Sequence, residues 1–340
     1  MIAIRVDGNS QIATGHVMRC LALANGLKKA GQTPLFIVAD ENSEQLLQSS
    51  GYRIINLHTQ WNNLDSEITQ ITAVLQQQKI TKLIVDTYFV TEKYLSSLEK
   101  VCPVIYIDDL NLFQYPVSVV VNYNIYASDI PYQEIYRGIK TKLLLGPQYA
   151  PLREEFQNIE PCIRDSVQRI LITVGGSDRY NIAGKILQEI CVDNRFSGIE
   201  FHVVVGKLNP HITELQELAE VNPLIKIHQN VTEMAKLMQS CDLAVTAGGS
   251  TMYELCACGI PSVCFSWADN QLMAVKSFSE KGIVPCAGDM RVDEVGCVCG
   301  IIECLYELLE DKKMRGERSR LMRRVADGMG VWNFVAAVGE

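Results

Sequence analysis

A glycine and a histidine stand together at Gly15-His16, between an apolar run and a helical pattern. Residues 3–10 begin with the apolar run that predicts the first strand, and residues 20–27 have the spacing of a helix. A polar loop between a first strand and a first helix lies where open α/β sheets bind ligands, with backbone N–H groups facing an anion. His16 could transfer a proton there, or it could only satisfy a hydrogen bond near the helix start. Its position alone supports the two interpretations equally.

Two Gly-Gly-Ser turns, at 175–177 and 248–250, each follow a predicted strand and precede a predicted helix. Glycine lets the backbone come close to phosphate oxygens, and serine adds a hydroxyl donor at the helix start. One such turn often needs glycine for steric reasons only, but two on one sheet edge indicate a diphosphate site. Neither turn is a P-loop or a G-x-G-x-x-G fingerprint, which disfavours ATP and NAD.

Further polar residues stand close to these turns in the second half of the chain. Glu254, within the first turn of the helix after the second Gly-Gly-Ser, could accept two hydrogen bonds from a ribose diol or could form a capping box. Asn270 and Gln271 follow the next predicted strand, where their amides could hold phosphate or sugar hydroxyls. Taken alone, these two would be ordinary loop residues.

In the first half, Asp86, Tyr88 and the pair Asp108-Asp109 mark the ends of predicted strands. The carboxyl ends of parallel strands form the ligand edge of a sheet, so we expect Asp86 and Tyr88 to contact substrate. Two adjacent carboxylates could act as acid and base, but neighbouring side chains usually point in different directions. Loop structure and helix capping are therefore the expected role of Asp108-Asp109.

The elements that position these residues alternate between strands and helices in both halves, which is typical of parallel, doubly wound sheets. Strands are predicted at 33–39, 54–57, 82–85, 103–107, 118–121, 169–174, 200–205, 226–228, 243–246 and 262–265, and helices at 66–78, 91–100, 181–191, 252–258 and 293–325. The alternation breaks in a stretch rich in Gly and Pro. We therefore expect an N-terminal domain over 1–150, a linker over 151–165, a C-terminal domain over 166–325 and a tail over 326–340.

Composition narrows the class of protein. The 340 residues, with 48% hydrophobic and 21% charged, can bury two ordinary cores. A net charge of -8 without a basic tract argues against nucleic acid as partner. We expect no signal peptide, because Arg5 interrupts the apolar start, and no membrane span, because no apolar run is long enough. The twelve cysteines therefore indicate reduced thiols of a cytoplasmic protein, and their C-x-C pairs do not have zinc-site spacing.

The motifs, taken in order, resemble one family. They are T-G-H-V-M-R-C-L-A-L-A, D-D-L, G-P-Q-Y-A-P-L-R-E-E-F, V-G-G-S-D-x-x-N, A-G-G-S-T-x-x-E-L-C-x-x-G-I-P and D-N-Q, and they extend from residue 3 to roughly residue 285. This chain resembles the UDP-sugar hydrolases of pseudaminic acid biosynthesis, which are similar in fold to the glycosyltransferase that adds N-acetylglucosamine to the peptidoglycan precursor. The resemblance implies an α/β protein of the GT-B architecture, with two Rossmann-like domains facing each other across a cleft.

The resemblance also implies an activity and a set of residue roles. It implies hydrolysis of UDP-2,4-diacetamido-2,4,6-trideoxy-β-L-altrose at the anomeric carbon to free sugar and UDP, without metal or cofactor. His16 would be the general base, in a loop shaped by Thr14 and Gly15. The residues implied for UDP and sugar are Gly176, Ser177, Gly249, Ser250 and Thr251 for the diphosphate, Glu254 for ribose, Asn270 and Gln271 for phosphate or sugar, and Val231 for uracil. Helix ends can stabilise the leaving UDP in place of a metal.

Three other functions remain open. A glycosyltransferase on the same fold would pass the sugar to an acceptor, as in surface or spore-coat polysaccharide assembly. A UDP-sugar-binding subunit without turnover would not need the Gly15-His16 motif, and a 2-epimerase would need catalytic acids that the sequence does not present. We expect a monomer whose partner is the small-molecule UDP-sugar. No role is assigned to the tail.

Overall fold

The computed structural model describes residues 1–9, 11–12, 14–206 and 209–339. It divides the chain into two compact units, one formed by Met1–Arg153 with Met329–Glu340 and the other by Glu154–Gly328. Each unit is an α/β layer structure around its own parallel sheet, which confirms the predicted fold class at the level of each domain.

The first unit alternates strands and helices along the chain. Its elements are β1 Ile2–Val6, α1 Gly15–Lys29, β2 Pro34–Val38, α2 Glu41–Leu47, β3 Arg53–Asn56, α3 Ile68–Gln77, β4 Lys82–Asp86, α4 Glu92–Glu99, β5 Val104–Ile107, β6 Val119–Asn122, α5 Tyr132–Ile135 and β7 Lys142–Leu145. Short 3-10 turns occupy Gln48–Ser50, Leu64–Glu67, Ile125–Asp129 and Pro147–Tyr149. All residues of β1 and β2 are buried, because helices cover both faces of the sheet.

In the described part of this unit, seven parallel strands run in the order β3-β2-β1-β4-β5-β6-β7. The order reverses between β1 and β4, which pair in register from Ile2 with Lys82 to Val6 with Asp86. Ligands of open parallel sheets bind at the carboxyl ends of the strands beside such a switch point. The residues that follow β1 and end β4 are therefore neighbours at the ligand edge.

The second unit repeats the alternation. Its elements are β8 Arg169–Thr173, α6 Ile182–Ile190, β9 Glu200–Val205, α7 Ile212–Val221, β10 Ile225–Gln229, α8 Met234–Ser240, β11 Leu243–Ala247, α9 Thr251–Cys258, β12 Ser262–Ser266, α10 Asp269–Glu280, β13 Cys286–Asp289, α11 Glu294–Glu310 and α12 Lys312–Val325. Two 3-10 turns lie at Glu154–Phe156 and Asn194–Phe196. The core of this unit consists of apolar side chains from the sheet and from helices that include α6 and α11.

Across the described residues of the second unit, six parallel strands run in the order β10-β9-β8-β11-β12-β13. The switch point lies between β8 and β11, where Thr173 pairs with Thr246. Both Gly-Gly-Ser turns begin within two residues of this pair. The topology thus brings to one point of the sheet edge two motifs that are more than seventy residues apart in the chain.

The last helix, α13 Gly330–Gly339, packs on α1 of the first unit. Gly26 of α1 is required there, since a Cβ at that position would lie 2.2 Å from Cγ1 of Val331. Asn333 adds a hydrogen bond from its side-chain nitrogen to the carbonyl oxygen of Gln148, at 2.8 Å. Residues 329–339 therefore complete the first unit as a packed helix.

Two strands were not anticipated from the sequence. β7 lies inside the stretch where the alternation had seemed to break, and β13 carries only the pattern Cys-Ala-Gly-Asp. Both are edge strands. β7 has the apolar run 143–145 but stands beside the Gly- and Pro-rich stretch, whereas β13 has no continuous apolar run, which an edge strand does not need. None of the helices among the described residues is long and apolar enough to cross a membrane.

Candidate active site

His16 is the second residue of α1, so the expected loop position is corrected to the first turn of a helix. Its side chain is only 7% exposed. Nδ1 of the imidazole lies 2.6 Å from Oδ1 of Asp86, the last residue of β4. The imidazole ring also makes a T-shaped contact with the ring of Tyr88, with centroids 4.6 Å apart and an interplanar angle of 79°. The switch point of the first sheet therefore brings His16, Asp86 and Tyr88 together.

The contact with Asp86 decides which nitrogen of His16 carries a proton. Burial by itself would raise the pKa of Asp86, but the charge of Arg19 and the contact with His16 outweigh it and hold that pKa well below its ordinary value. An ionised carboxylate can only accept hydrogen bonds, so the proton in this contact belongs to Nδ1. In neutral His16 the lone pair is then on Nε2. This is the tautomer that a base oriented by a carboxylate requires.

Both oxygens of Asp86 are also bonded to Arg19, three residues after His16 on α1. Nε of Arg19 donates to Oδ2 at 2.6 Å and one terminal nitrogen donates to Oδ1 at 2.5 Å. Asp86 is fully buried beneath these groups. Its carboxylate is thus engaged by His16 and Arg19 within the protein, and the expected contact of Asp86 with substrate stays a prediction. Arg19 was part of the motif, but sequence reasoning gave it no role.

The adjacent carboxylates Asp108 and Asp109 have different partners. Asp108 accepts hydrogen bonds from the backbone N–H groups of Leu110 and Asn111, each at 2.9 Å, which is the loop role expected for it. Asp109 instead accepts from Arg19 at 2.9 Å and from the side-chain nitrogen of Asn124 at 2.8 Å. One member of the pair thus builds a loop while the other joins the cluster around His16.

In the second unit, the two helix starts at the switch point differ in how their N–H groups are used. At α6, the buried carboxylate of Asp178 accepts from the N–H groups of Ile182 at 2.7 Å and Ala183 at 3.1 Å. At α9, the N-cap residue Ser250 makes no side-chain capping bond. In the first turn of α9, the N–H groups of Met252 and Tyr253 donate to the carbonyl oxygens of Gly249 and Ser250, at 3.1 and 3.0 Å. Ser250 and Thr251 contribute the other N–H groups of this helix start, where an anion would bind.

Three of the four glycines of the two turns are exposed, whereas Gly248 is buried and a Cβ there would lie 2.2 Å from Cγ2 of Val275. A Cβ at Gly176 or Gly249 would meet no atom within 4 Å, and both residues are exposed. Gly175 has φ +97°, a conformation that favours glycine. Gly206, at the end of β9, was missed by the sequence analysis: a Cβ there would lie 2.3 Å from the carbonyl oxygen of Gly176. The absence of a side chain at Gly206 thus allows the backbone of the first turn to pack closely against the end of β9.

The remaining predicted site residues lie on loops and helix starts of the second unit. Thr251 and Glu254 are in the first turn of α9, Ser177 is half-buried in its turn, and Val231 is half-buried before α8. Asn270 is exposed in the first turn of α10. Gln271 is buried, and its side-chain oxygen accepts the backbone N–H of Trp267 at 3.0 Å. The side-chain oxygen of Gln271 therefore stabilises the loop before α10, whether or not Gln271 also contacts a ligand.

Within the part of the chain that the structure describes, no group of three or more His, Cys, Asp or Glu side chains has an arrangement that could hold a metal ion. Cys256 and Cys258 are buried, and burial raises the pKa of Cys258 to about 12. These thiols pack as small apolar side chains.

Comparisons with known proteins bear on the fold of the chain. Residues 169–313 match the model of the glycosyltransferase family 28 C-terminal domain, which covers the sheet that carries both Gly-Gly-Ser turns. The whole chain also matches the crystal structure of Acinetobacter baumannii MurG, with a TM-score of 0.69, 15% identity and 99% of each chain covered. The two sheets therefore have the GT-B fold of glycosyltransferases.

Three sequence relatives extend the match. An uncharacterised protein of Methanocaldococcus jannaschii, MJ1062, is 29% identical over 77% of this chain, and the match spans 54% of its own length. The spore coat polysaccharide biosynthesis protein SpsG of Bacillus subtilis is 24% identical, with 100% of this chain and 98% of SpsG covered. The UDP-2,4-diacetamido-2,4,6-trideoxy-beta-L-altropyranose hydrolase of Campylobacter jejuni is 24% identical, and the match covers 83% of this chain and 97% of the hydrolase.

Fold and relatives together define the class: this is an enzyme of the nucleotide-sugar-processing, glycosyltransferase-like kind. More particularly, the resemblance to the UDP-diacetamido-trideoxy-altropyranose hydrolases is confirmed by a named relative that aligns over nearly its full length.

Proposed function

We propose that the protein hydrolyses UDP-2,4-diacetamido-2,4,6-trideoxy-β-L-altrose at the anomeric carbon, giving the free sugar and UDP in a route to pseudaminic acid. The observation that carries the proposal is the His16–Asp86 contact of 2.6 Å, which leaves Nε2 of His16 as a base. The hydrolase relative from Campylobacter jejuni supports the substrate class. We further propose that the enzyme acts in the cytoplasm as a monomer.

In the proposed reaction a water molecule attacks C1 of the sugar. Its proton passes to Nε2 of His16, the new C1–O bond forms, and the bond from C1 to the UDP oxygen breaks. Asp86 stabilises the imidazolium that results, because its carboxylate stays ionised and accepts the hydrogen bond from the Nδ1–H group throughout. Tyr88, in contact with the imidazole ring, is proposed to border the sugar.

UDP is proposed to bind in the second unit. The N–H groups at the start of α9, with Gly249, Ser250 and Thr251, would hold the diphosphate and stabilise its charge as it leaves. Gly176 and Ser177 would contribute from the neighbouring turn. The other proposed contacts are Glu254 with ribose, Asn270 and Gln271 with phosphate or sugar, Val231 with uracil, and Gly15 with the substrate near the base.

A decisive experiment follows the products in ¹⁸O-labelled water. Purified protein would be incubated with a panel of UDP-diacetamido-trideoxy sugars in EDTA, and UDP and free sugar would be analysed by mass spectrometry. Attack at C1 places the label in the free sugar, whereas attack at phosphorus places it in UDP. Label in UDP, or no UDP release from any sugar of the panel, would overturn the proposal.

A second candidate is a glycosyltransferase that uses a UDP-sugar donor in surface or spore-coat polysaccharide assembly. The observation that favours it is the alignment with SpsG, which covers the whole of this chain. A transferase would release UDP only when an acceptor is supplied. UDP release in buffer alone, with labelled free sugar as co-product, would therefore favour the hydrolase over the transferase.

A further inference from the structure

Arg19 bonds to charged and polar side chains from three other segments of the first unit. Beyond its two bonds to Asp86, its terminal nitrogens donate to Oδ2 of Asp109 at 2.9 Å and to the hydroxyl of Tyr123 at 2.5 Å. Its guanidinium carbon also lies 5.3 Å from the centroid of the Tyr123 ring. Arg19 thereby ties α1 to the residues that end β4 and follow β5 and β6.

The same guanidinium controls the proton between His16 and Asp86. A terminal nitrogen of Arg19 lies 3.0 Å from Nδ1 of His16, so its charge acts on the imidazole as well as on the carboxylate. Because both oxygens of Asp86 are engaged by Arg19, the carboxylate has a fixed orientation toward Nδ1. Without that charge, a fully buried carboxylate would gain a proton more readily.

We propose that Arg19 is a positioning residue for the base: it keeps Asp86 ionised and oriented, so that His16 carries its proton on Nδ1 and presents Nε2 unprotonated. This inference rests on the proposed function for its catalytic consequence. Its physical core, the protonation state of one imidazole, can be measured without substrate.

Four other groups with titratable or charged side chains contact the His16–Asp86 pair or Arg19. Cys20 of α1 donates its thiol to Oδ2 of Asp86 at 3.4 Å, and burial raises its pKa well above the ordinary value. Burial likewise raises the pKa of Tyr123 well above its ordinary value. Tyr88 contacts the ring of His16, and Asp109 contributes a negative charge through its bond to Arg19.

Two charge changes should move the proton affinity of the His16–Asp86 pair in opposite directions. Arg19→Gln removes a positive charge, so the pair should hold an additional proton to higher pH by about one pH unit or more. Asp109→Asn removes a negative charge, so the pair should lose that proton at lower pH. Damage to the fold alone would not produce shifts of opposite sign.

The test is a pH series of imidazole ¹⁵N spectra of histidine-labelled protein, with the His16 signals assigned by their loss in His16→Asn. We expect an Nδ1-protonated neutral tautomer in the unmodified protein, an upward shift of the titration in Arg19→Gln and a downward shift in Asp109→Asn. The acid limb of the pH–rate profile should move with each titration, and kcat of Arg19→Gln at neutral pH should fall roughly tenfold or more, with KM much less affected.

Two more variants keep the result interpretable. Arg19→Lys retains the charge but cannot bridge both carboxylate oxygens, so its titration should lie between those of Arg19→Gln and the unmodified protein. Arg5 is a second buried arginine of this unit, bonded to Glu67 and Asp7, and Arg5→Gln should destabilise the fold without shifting the His16 titration.

Two results would overturn the proposal. One is an unchanged titration and tautomer in a folded Arg19→Gln or Arg19→Lys protein, and the other is a shift of equal size in Arg5→Gln. If the protein does not hydrolyse UDP-sugars but the titrations shift as expected, the proposed function fails while the role of Arg19 stands.

Discussion

Nδ1 of His16 lies 2.6 Å from Oδ1 of Asp86, although seventy residues separate them in the chain. The pair exists because α1 follows β1 and Asp86 ends β4, and these strands are neighbours only through the reversal of strand order. A buried carboxylate that accepts a hydrogen bond from one imidazole nitrogen fixes the tautomer and the orientation of the ring. The following predictions build on this pair and on the switch point of the second sheet.

Replacing His16 by Asn should reduce kcat by about 10²–10⁴-fold and leave UDP affinity nearly unchanged. The reason is that the proposed UDP contacts are in the second unit, whereas His16 is in the first. Activity of the unmodified enzyme should also fall as the pH is lowered, because a protonated imidazole cannot accept a proton from water. Steady-state kinetics and calorimetric titration with UDP measure the two effects. Full activity in a folded His16→Asn protein would exclude His16 as the base.

Glu254→Ala should weaken UDP binding roughly ten- to a hundredfold, since a charge-assisted hydrogen bond contributes on the order of 1.5–3 kcal/mol. Glu294→Ala is a control outside the proposed UDP contacts: Glu294 is also an acidic residue in the first turn of a helix, where it pairs with Lys185 at 2.6 Å. If Glu254 only caps its helix, both variants should lower the melting temperature and keep UDP affinity. Calorimetry and melting curves, recorded side by side, distinguish the two roles.

Gly206→Ala should displace the first Gly-Gly-Ser turn, because the new Cβ would lie 2.3 Å from the carbonyl oxygen of Gly176. We expect UDP affinity to fall by roughly tenfold, the cost of one lost hydrogen bond to a charged group. Gly316→Ala, whose Cβ would meet no atom within 4 Å, is the control and should bind UDP normally. Equal affinities in the two variants would remove the turn at 175–177 from the UDP site.

Hydrolysis should proceed at an unchanged rate in EDTA. The expectation rests on the N–H groups at the start of α9, which can stabilise the leaving diphosphate without a cation. Rates would be compared after exhaustive chelation and after addition of Mg²⁺ or Mn²⁺. Loss of activity on chelation with recovery on metal addition would show that this account of the leaving group is incorrect.

Acid should destabilise the second unit through His202 and His228. Their rings stack with centroids 5.1 Å apart, and burial lowers the pKa of both from the ordinary 6.5. Below about pH 6.5 the unfolded chain then binds more protons than the native state, so the contribution of these two histidines to stability is fully present above that pH and is lost as the pH drops below it. His228→Gln should make the melting temperature less sensitive to acid, whereas the exposed His58→Gln should not. Identical pH profiles in both variants would contradict this.

Much of the fold was available from the sequence. Alternating apolar and amphipathic segments predict parallel sheets because each strand buried on both faces must be an apolar run and each covering helix must have one apolar face. The central strands of both sheets follow this pattern. The edge strand β13 does not, since an edge strand is less deeply packed. β7 contains three leucines, but the Gly- and Pro-rich residues that follow it obscure the pattern, so both strands were found only in the structure.

The sequence by itself determined which residue types stand at the carboxyl ends of the strands: a histidine after β1, an aspartate at the end of β4, and Gly-Gly-Ser after β8 and β11. Only the tertiary structure decided which of them meet. Strand order is set by packing of the whole sheet, and no local pattern encodes it. That order gave His16 a carboxylate on Nδ1 and gave Arg19 its place between Asp86 and Asp109. It also brought the first turn against Gly206, because close packing of neighbouring strand ends leaves no room there for a side chain.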